Sequence, residues 1–439
     1  MKLFEPKTFS AFKGYKSRDY ISDIVAGVIV AIIALPLSIA LAIASGATPE
    51  RGLFTAIIAG FITALLGGSK VNITGPTAAF ATIVAGIILT EGMDGLFLAT
   101  VMAGLLLILM GILRVGSLIK YIPHTITIGF TAGIAITLIV GQLKDFLGLT
   151  YPAGVVAIET PEKLALVFEN VSTFNPWAFL VGVIGLAILI IWPKVSKKIP
   201  GSLIAVIVGA LICLIPVINA NTIGSLYSIS SDLPTFSFPK ITMDRIIKLF
   251  PSAFTIALLA GIESLLSCVV SDKMVNDKHN PNTELIALGA GNFFVGCFGG
   301  IPATGAIART AANVKNGGKS PLSGMVHAVV LLLVLVLLMP LASYIPMPII
   351  AAILFIVAYN MSEWREFVAV IKTKKWNDIL VLVLTFALTV IFDLVKAIAV
   401  GLAVHYLILL IYYLIAKQKS KKEKLGKKAD ENNSDSQNS

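Results

Sequence analysis

The sequence predicts an all-α membrane protein of fourteen transmembrane spans, built as two inverted seven-span repeats. Three observations carry that reading: a scarcity of charge, apolar runs of membrane-crossing length, and loop charges that alternate with the runs. Charged residues make up 13% of the 439 and hydrophobic types 57%, whereas a soluble domain carries about a quarter charged residues. The apolar residues come in blocks of roughly 15–25, enough helix to cross about 30 Å of hydrocarbon at about 1.5 Å per residue. A soluble enzyme, a disordered chain and a secreted disulfide scaffold are excluded.

In chain order the apolar runs fall near 22–44, 50–66, 76–90, 94–113, 124–146, 176–192, 201–218, 249–270, 283–298, 303–314, 321–343, 347–359, 377–393 and 397–416. The chain then divides into a cytoplasmic N-terminal segment (1–20), a membrane domain (21–416) and a disordered basic cytoplasmic tail (417–439). The formal net charge of +10 sits at the ends of the apolar runs. Lys2, Lys7, Lys13, Lys16 and Arg18 precede span 1, and seven lysines from Lys417 to Lys428 follow span 14. The segments after spans 4, 6, 8, 10 and 12 carry Arg114 and Lys120; Lys194, Lys197 and Lys198; Lys273 and Lys278; Lys315 and Lys319; and Arg365, Lys372, Lys374 and Lys375. The connection 149–176 instead holds Glu159, Glu162 and Glu169 against Lys163 alone. Basic loops mark the cytoplasmic side, so both termini are expected inside a plasma (inner) membrane. The charge is a membrane-orientation signal, and no nucleic-acid partner is expected. Cys213, Cys268 and Cys297 lie in or beside apolar segments without ligand spacing and read as small core residues.

Tyr121-Ile122-Pro123 recurs as Tyr344-Ile345-Pro346, opening spans 5 and 12. A similar shift puts Thr77 on Thr304, opening spans 3 and 10, and Pro36 on Glu263 in the middle of spans 1 and 8. The offset is half of fourteen spans. It divides the membrane domain into repeats of about 21–218 and 249–416, which seven spans each place in opposite orientation. That is the plan of secondary transporters, whose sites lie near the midplane where broken helices meet.

The chemistry concentrates at three places. Spans 3 and 10 are short and open on Gly67–Ala79 and Gly299–Ala306, both rich in Gly and Pro. Proline suits a first helical turn, and irregular backbone at depth is tolerated only inside protein or along a cavity. Two helices beginning there aim free N–H groups and positive dipole ends at one spot, an anion site that needs no cationic side chain. Thr77, Ala78, Ala303, Thr304 and Gly305 are the candidate anion-binding residues, the threonines adding hydroxyl donors. The plainer alternative is close helix packing through small residues. Glu263 is a mid-span carboxylate, costly unless protonated, paired or hydrated; Ser267, one turn on, shares its face. Together they suit a co-transported Na⁺ or a carried proton, against a protonated structural Glu. Arg309, five residues past Thr304, either adds positive field to the anion site or snorkels to the cytoplasmic surface. No other metal site, no cofactor and no ATP-binding loop is expected: His124, His279, His327 and His405 are scattered. Asp393 and Lys396 read as an interfacial pair.

The stretch Asp23-Ile24-Val25-Ala26-Gly27, Leu35-Pro36-Leu37-Ser38-Ile39-Ala40 and Ser45–Leu53 resembles the opening signature of the SulP family of anion transporters. Gly67-Gly68-Ser69, Thr74-Gly75-Pro76-Thr77, Asn282–Gly289, Asn292, Arg309-Thr310 and Gly317-Gly318-Lys319 extend the resemblance over about residues 18–400. It implies a core domain of spans 1–4 and 8–11 moving against a gate domain of spans 5–7 and 12–14. The anion then lies between the starts of spans 3 and 10, with Glu263 and Ser267 coupling and Arg309 in an anion-attracting position. Leu35-Pro36-Leu37 is similar to the sodium-dependent bicarbonate branch, whereas a Glu at 263 is similar to proton-coupled members. The cytoplasmic STAS domain usual in the family is not expected in the residues after Ala416.

The function expected is therefore secondary active transport of a small inorganic anion, bicarbonate or sulfate, coupled to Na⁺ or H⁺, and not an enzyme activity. The expected partners are the anion and membrane lipid, with a homodimer left open. A dicarboxylate or nucleobase carrier on the same fold and a passive anion channel are the alternatives.

Overall fold

The computed structural model describes residues 4–12, 14–117, 123–152, 154–155, 157–196, 199–392, 397, 399–411, 413–414 and 417. The tail 418–439, the basic positions Lys120, Lys197 and Lys198, the Asp393/Lys396 pair and the Tyr121-Ile122 half of the repeat lie outside the described residues.

Long helices account for most of the chain: α1 Ser17–Ala44, α2 Pro49–Leu66, α3 Ala81–Ile112, α4 His124–Leu147, α5 Pro176–Val195, α6 Gly201–Cys213, α7 Met243–Val275, α8 Pro281–Cys297, α9 Ile307–Lys315, α10 Pro321–Leu338, α11 Met347–Met361, α12 Trp364–Lys372, α13 Trp376–Ile391 and α14 Ala399–Ile411. Two three-residue strands, β1 Thr74–Pro76 and β2 Ala303–Gly305, interrupt them. Starts follow local chemistry. Proline occupies the first turn of α2, α5, α8 and α10, and the side chains of Asn175, Asn280 and Ser320 cap α5, α8 and α10.

The apolar runs of the sequence all fall on these helices, but the count changes where length is the criterion. Among the described residues, eight helical segments are long and apolar enough to cross a bilayer, one of them running through α11 and α12 together, and α6, α13 and α14 are apolar but shorter. The runs expected as spans 3 and 4 form two helices that meet without a loop at Gly92, the kink within α3, where φ is 70° and ψ −175°. Span 10, expected from 303, is helical only from Ile307, because residues 303–305 are extended.

Contacts divide the chain into two compact units. The first contains residues 1–121 and 134–362, the second 122–133 and 363–439. In the first, glycines set the helix spacing: Gly104 and Gly289 bring α3 against α8, and Gly27 brings α1 against Ser323 and Val326 of α10. A separate apolar cluster of the same unit joins Phe146, Val181, Leu189 and Ala205 to Ile349, Ala352 and Ile353 of α11. The N-terminal segment is fastened to this unit, Lys7 N–H donating to the Gly67 carbonyl (2.9 Å) and Lys7 Nζ pairing with Asp277 (3.3 Å). In the second unit Gly129 and Gly133 of α4 pack on Leu382 and Thr389 of α13, and Phe367 of α12 meets Phe386 edge-on.

Candidate functional site

Backbone groups buried from water must find partners, and the irregular stretches before α3 and α9 find each other. β1 and β2 pair antiparallel, Thr74 opposite Gly305, Gly75 opposite Thr304 and Pro76 opposite Ala303. Ala306 N–H donates to the Ile73 carbonyl at 3.0 Å and extends the ribbon. Past it the chains turn into helix, through a 3₁₀ turn at Ala78–Phe80 on one side and at Ile307 on the other. Thr77 is the cap of the first, its Oγ1 accepting from Ala79 N–H at 3.4 Å. Ala306 caps the second without a side-chain bond. The two helix starts, distant in sequence, are joined through one small ribbon.

The candidate residues take distinct places around it. Thr77, Glu263 and Arg309 come together: the half-buried Glu263 carboxyl on α7 faces the Thr77 hydroxyl and the Arg309 guanidinium. Arg309 is 2% exposed and does not snorkel. Its side chain folds back over Gly75, Nη1 lying beside the place a Cβ would take, and Nη2 donates to the Pro76 carbonyl. Among the described residues, Nε and Nη1 have no acceptor. Ala78 is buried beside Thr77. Ala303 is held at both ends by one amide, its N–H donating to Asn292 Oδ1 (2.8 Å) and its carbonyl accepting from Asn292 Nδ2 (2.9 Å). The Thr304 hydroxyl donates to the Ala260 carbonyl of α7 at 2.8 Å. Gly305 lies against Asn72 and Ser264, so a Cβ there would sit 2.5 Å from Asn72 Nδ2. Ser267, on the same helix as Glu263, donates to Asn72 Oδ1 at 2.7 Å and lies 3.1 Å from Thr310 Oγ1.

Several residues given no role from the sequence complete the arrangement. Asn72, Ser264, Glu284, Asn292, Thr310 and Asn313 are all buried and hydrogen-bonded between the ribbon and helices α7, α8 and α9. Glu284, Asn292 and Thr310 lie in the motifs that carry the family resemblance, which was the signal available. His327 of α10 is fully buried, neither ring nitrogen has a partner among the described residues, and the Arg309 charge acts on it. Among the described residues, no three His, Cys, Asp or Glu side chains group as a metal site.

Chemically the place offers donors to a small anion: the N–H groups of two guanidinium nitrogens, a threonine hydroxyl and helix-start amides. A carboxyl group stands beside them. The helix starts place partial positive charge there, and a buried guanidinium without full pairing is costly unless an anion answers it.

The model of the Sulfate permease family matches residues 20–385. A Bacillus subtilis (strain 168) protein named putative sulfate transporter YvdB is 45% identical over 401 residues, covering 90% of this chain and 74% of the relative. The bicarbonate transporter BicA of Picosynechococcus sp. is 34% identical over 403 residues, covering 88% and 69%. The solved transmembrane domain of a cyanobacterial BicA superposes with a TM-score of 0.78 at 31% identity, over 87% of this chain and 98% of that one. SLC26A9 shares the fold at a TM-score of 0.84 and 20% identity, over 92% and 68%.

Proposed function

The chain belongs to the sulfate permease family, and on that premise we propose that it is a secondary active transporter of a small inorganic anion, bicarbonate or sulfate. Transport by relatives named for sulfate and for bicarbonate supports the anion class. The observation that carries the reading is the buried Arg309, its guanidinium anchored to Pro76 at the ribbon with Nε and Nη1 free. Those donors, the Thr77 hydroxyl and the amides at Ala78 and Ile307 hold the anion. Ala303, Thr304 and Gly305 shape the opposite wall through backbone and small size.

Glu263 couples the anion to a cation. Protonated or bound to Na⁺ it is neutral beside the anion; empty and ionised it pairs electrostatically with Arg309 and competes for the same positive field. Anion and cation therefore load and leave together, the differential interaction that any coupled cycle needs. The basic flanks support inner-facing termini, and bacterial relatives support a plasma-membrane location. Movement of the helices around the ribbon against the rest gives access from each side in turn.

The test is flux of labelled bicarbonate and sulfate into liposomes holding the full chain, with Na⁺ and H⁺ gradients imposed separately. Concentrative uptake driven by one gradient and lost in Glu263→Gln, with folded protein retained, is expected. Uptake by Glu263→Gln that still follows a gradient overturns the coupling role. Uptake indifferent to either gradient in the natural chain marks a passive channel. Competition by a dicarboxylate or nucleobase marks a larger substrate.

A further inference from the structure

Asn72 sits at the foot of β1 with its amide fully used. Nδ2 donates to Glu284 Oε1 (2.7 Å) and Ser264 Oγ (3.2 Å), and Oδ1 accepts from Ser267 Oγ (2.7 Å) and Thr310 Oγ1 (2.9 Å). An Asn amide presents donors at one end and an acceptor at the other, so one neighbour must decide which end faces where. Serine and threonine hydroxyls cannot decide it, because they donate or accept as required. Glu284 can. Its carboxylate is 1% exposed, and Oε2 accepts from Gly68 N–H (2.9 Å) and Ser69 N–H (3.1 Å). Two backbone donors engage Oε2, and Oε1, which accepts from Asn72 Nδ2 and Ser264 Oγ, turns the NH₂ end of Asn72 toward itself.

We propose that Glu284 is a positioning residue: it fixes the orientation of the Asn72 amide, and through it the seat of β1 against Ser264 and Ser267 of α7 and Thr310 of α9. Ser264 neighbours Glu263, Thr310 neighbours Arg309, and β1 leads into Thr77. One carboxylate, itself not among the anion's donors, thus aligns three segments that supply them. Thr310 Oγ1 also accepts from Ile73 N–H (3.0 Å), and Asn313 Nδ2 donates to the Val71 carbonyl (3.0 Å), so the alignment continues along the strand. The consequence for anion affinity rests on the transport reading above; the orientation itself does not.

The orientation has a distinctive test, an exchange of the two groups. In Glu284→Gln an amide NH₂ meets either the Gly68 and Ser69 donors or the Asn72 donor. In Asn72→Asp two carboxylates face each other. The double variant, Glu284→Gln with Asn72→Asp, restores the match with the roles reversed. The amide oxygen at position 284 accepts from Gly68 and Ser69, and its NH₂ donates to the carboxylate at position 72, which still accepts from Ser267 and Thr310. Full-length single and double variants are compared in detergent by thermal unfolding and in liposomes by anion uptake. Each single change is expected to lower the melting temperature by several degrees. Each is also expected to raise the KM for the anion about tenfold, with the maximal rate per folded protein largely kept. The double variant is expected to recover both. Singles that fail to accumulate while the double accumulates give the same answer through yield. Losses that add in the double variant, or a double variant that does not fold, overturn the proposal. Singles whose melting falls at an unchanged KM reduce Glu284 to a structural role. If the natural chain takes up neither sulfate nor bicarbonate, the transport reading fails by itself, and the melting comparison still decides the orientation.

Discussion

Arg309 concentrates the electrostatics of the site in one side chain. A guanidinium can donate in several directions from one plane; Nη2 goes to the Pro76 carbonyl and leaves Nε and Nη1 for a ligand. A lysine keeps the charge but not the fork. Arg309→Lys is therefore expected to lose one or more charge-assisted bonds worth about 1.5–3 kcal/mol each, a ten- to hundredfold weaker anion affinity at about 1.4 kcal/mol per decade. Calorimetric titration of purified protein with bicarbonate and sulfate measures it, and an unchanged affinity removes Arg309 from the site. Glu263 was legible in the sequence because a carboxylate in an apolar run is conspicuous. Arg309 was legible as a residue but not as a buried one, since spacing along a short helix does not tell which way a long side chain folds. Asn72, Ser264 and Thr310 were illegible as a group: small polar residues recur throughout such helices, and these three bond across 192 and 238 positions of sequence.

At the scale of elements, the kink at Gly92 within α3 falls where the sequence divides spans 3 and 4. Thr90-Glu91-Gly92-Met93-Asp94 separates two apolar runs, and the helix is interrupted there, but without a loop. Gly92 takes a conformation that is essentially reserved for glycine, and an added Cβ would meet no atom within 4 Å. Arg245 pairs with Asp94, and Lys248 with Glu91, on either side of it. Gly92→Ala is expected to cost about 1–3 kcal/mol from backbone conformation alone, since no steric clash adds to it. Thermal unfolding of the full chain checks this; an unchanged melting temperature shows that α3 passes Gly92 by another path. The β1–β2 ribbon was half legible. Repeat arithmetic put the two Gly/Pro stretches at equivalent places, but a three-residue strand carries no alternating pattern to announce its pairing.

For the whole molecule, the question is which helices travel together. The helices carrying the site are locked by glycines that meet backbone, while in the apolar cluster around Ile349 the glycines Gly185 and Gly209 meet the Ile349 side chain. Close small-residue seams resist sliding, because any added atom meets backbone and not a side chain able to move aside. Apolar runs and loop charges were enough to read a polytopic helical bundle, since the bilayer enforces both. The tightness of individual seams was not readable, since glycine is common in membrane helices whether or not it faces a partner. Gly104 tests the seam between α3 and α8. A Cβ there would lie 2.5 Å from Phe293 N and 2.6 Å from the Gly289 carbonyl oxygen. Gly104→Ala must separate two backbones, at about 1–3 kcal/mol. The loss is global, so melting temperature and maximal uptake rate are expected to fall together at a nearly unchanged KM. That is the opposite split from Glu284→Gln, whose effect is on the geometry of the ribbon. If Gly104→Ala instead raised KM at full stability, the seam would be tuning the anion pocket directly and the core would not move as one body.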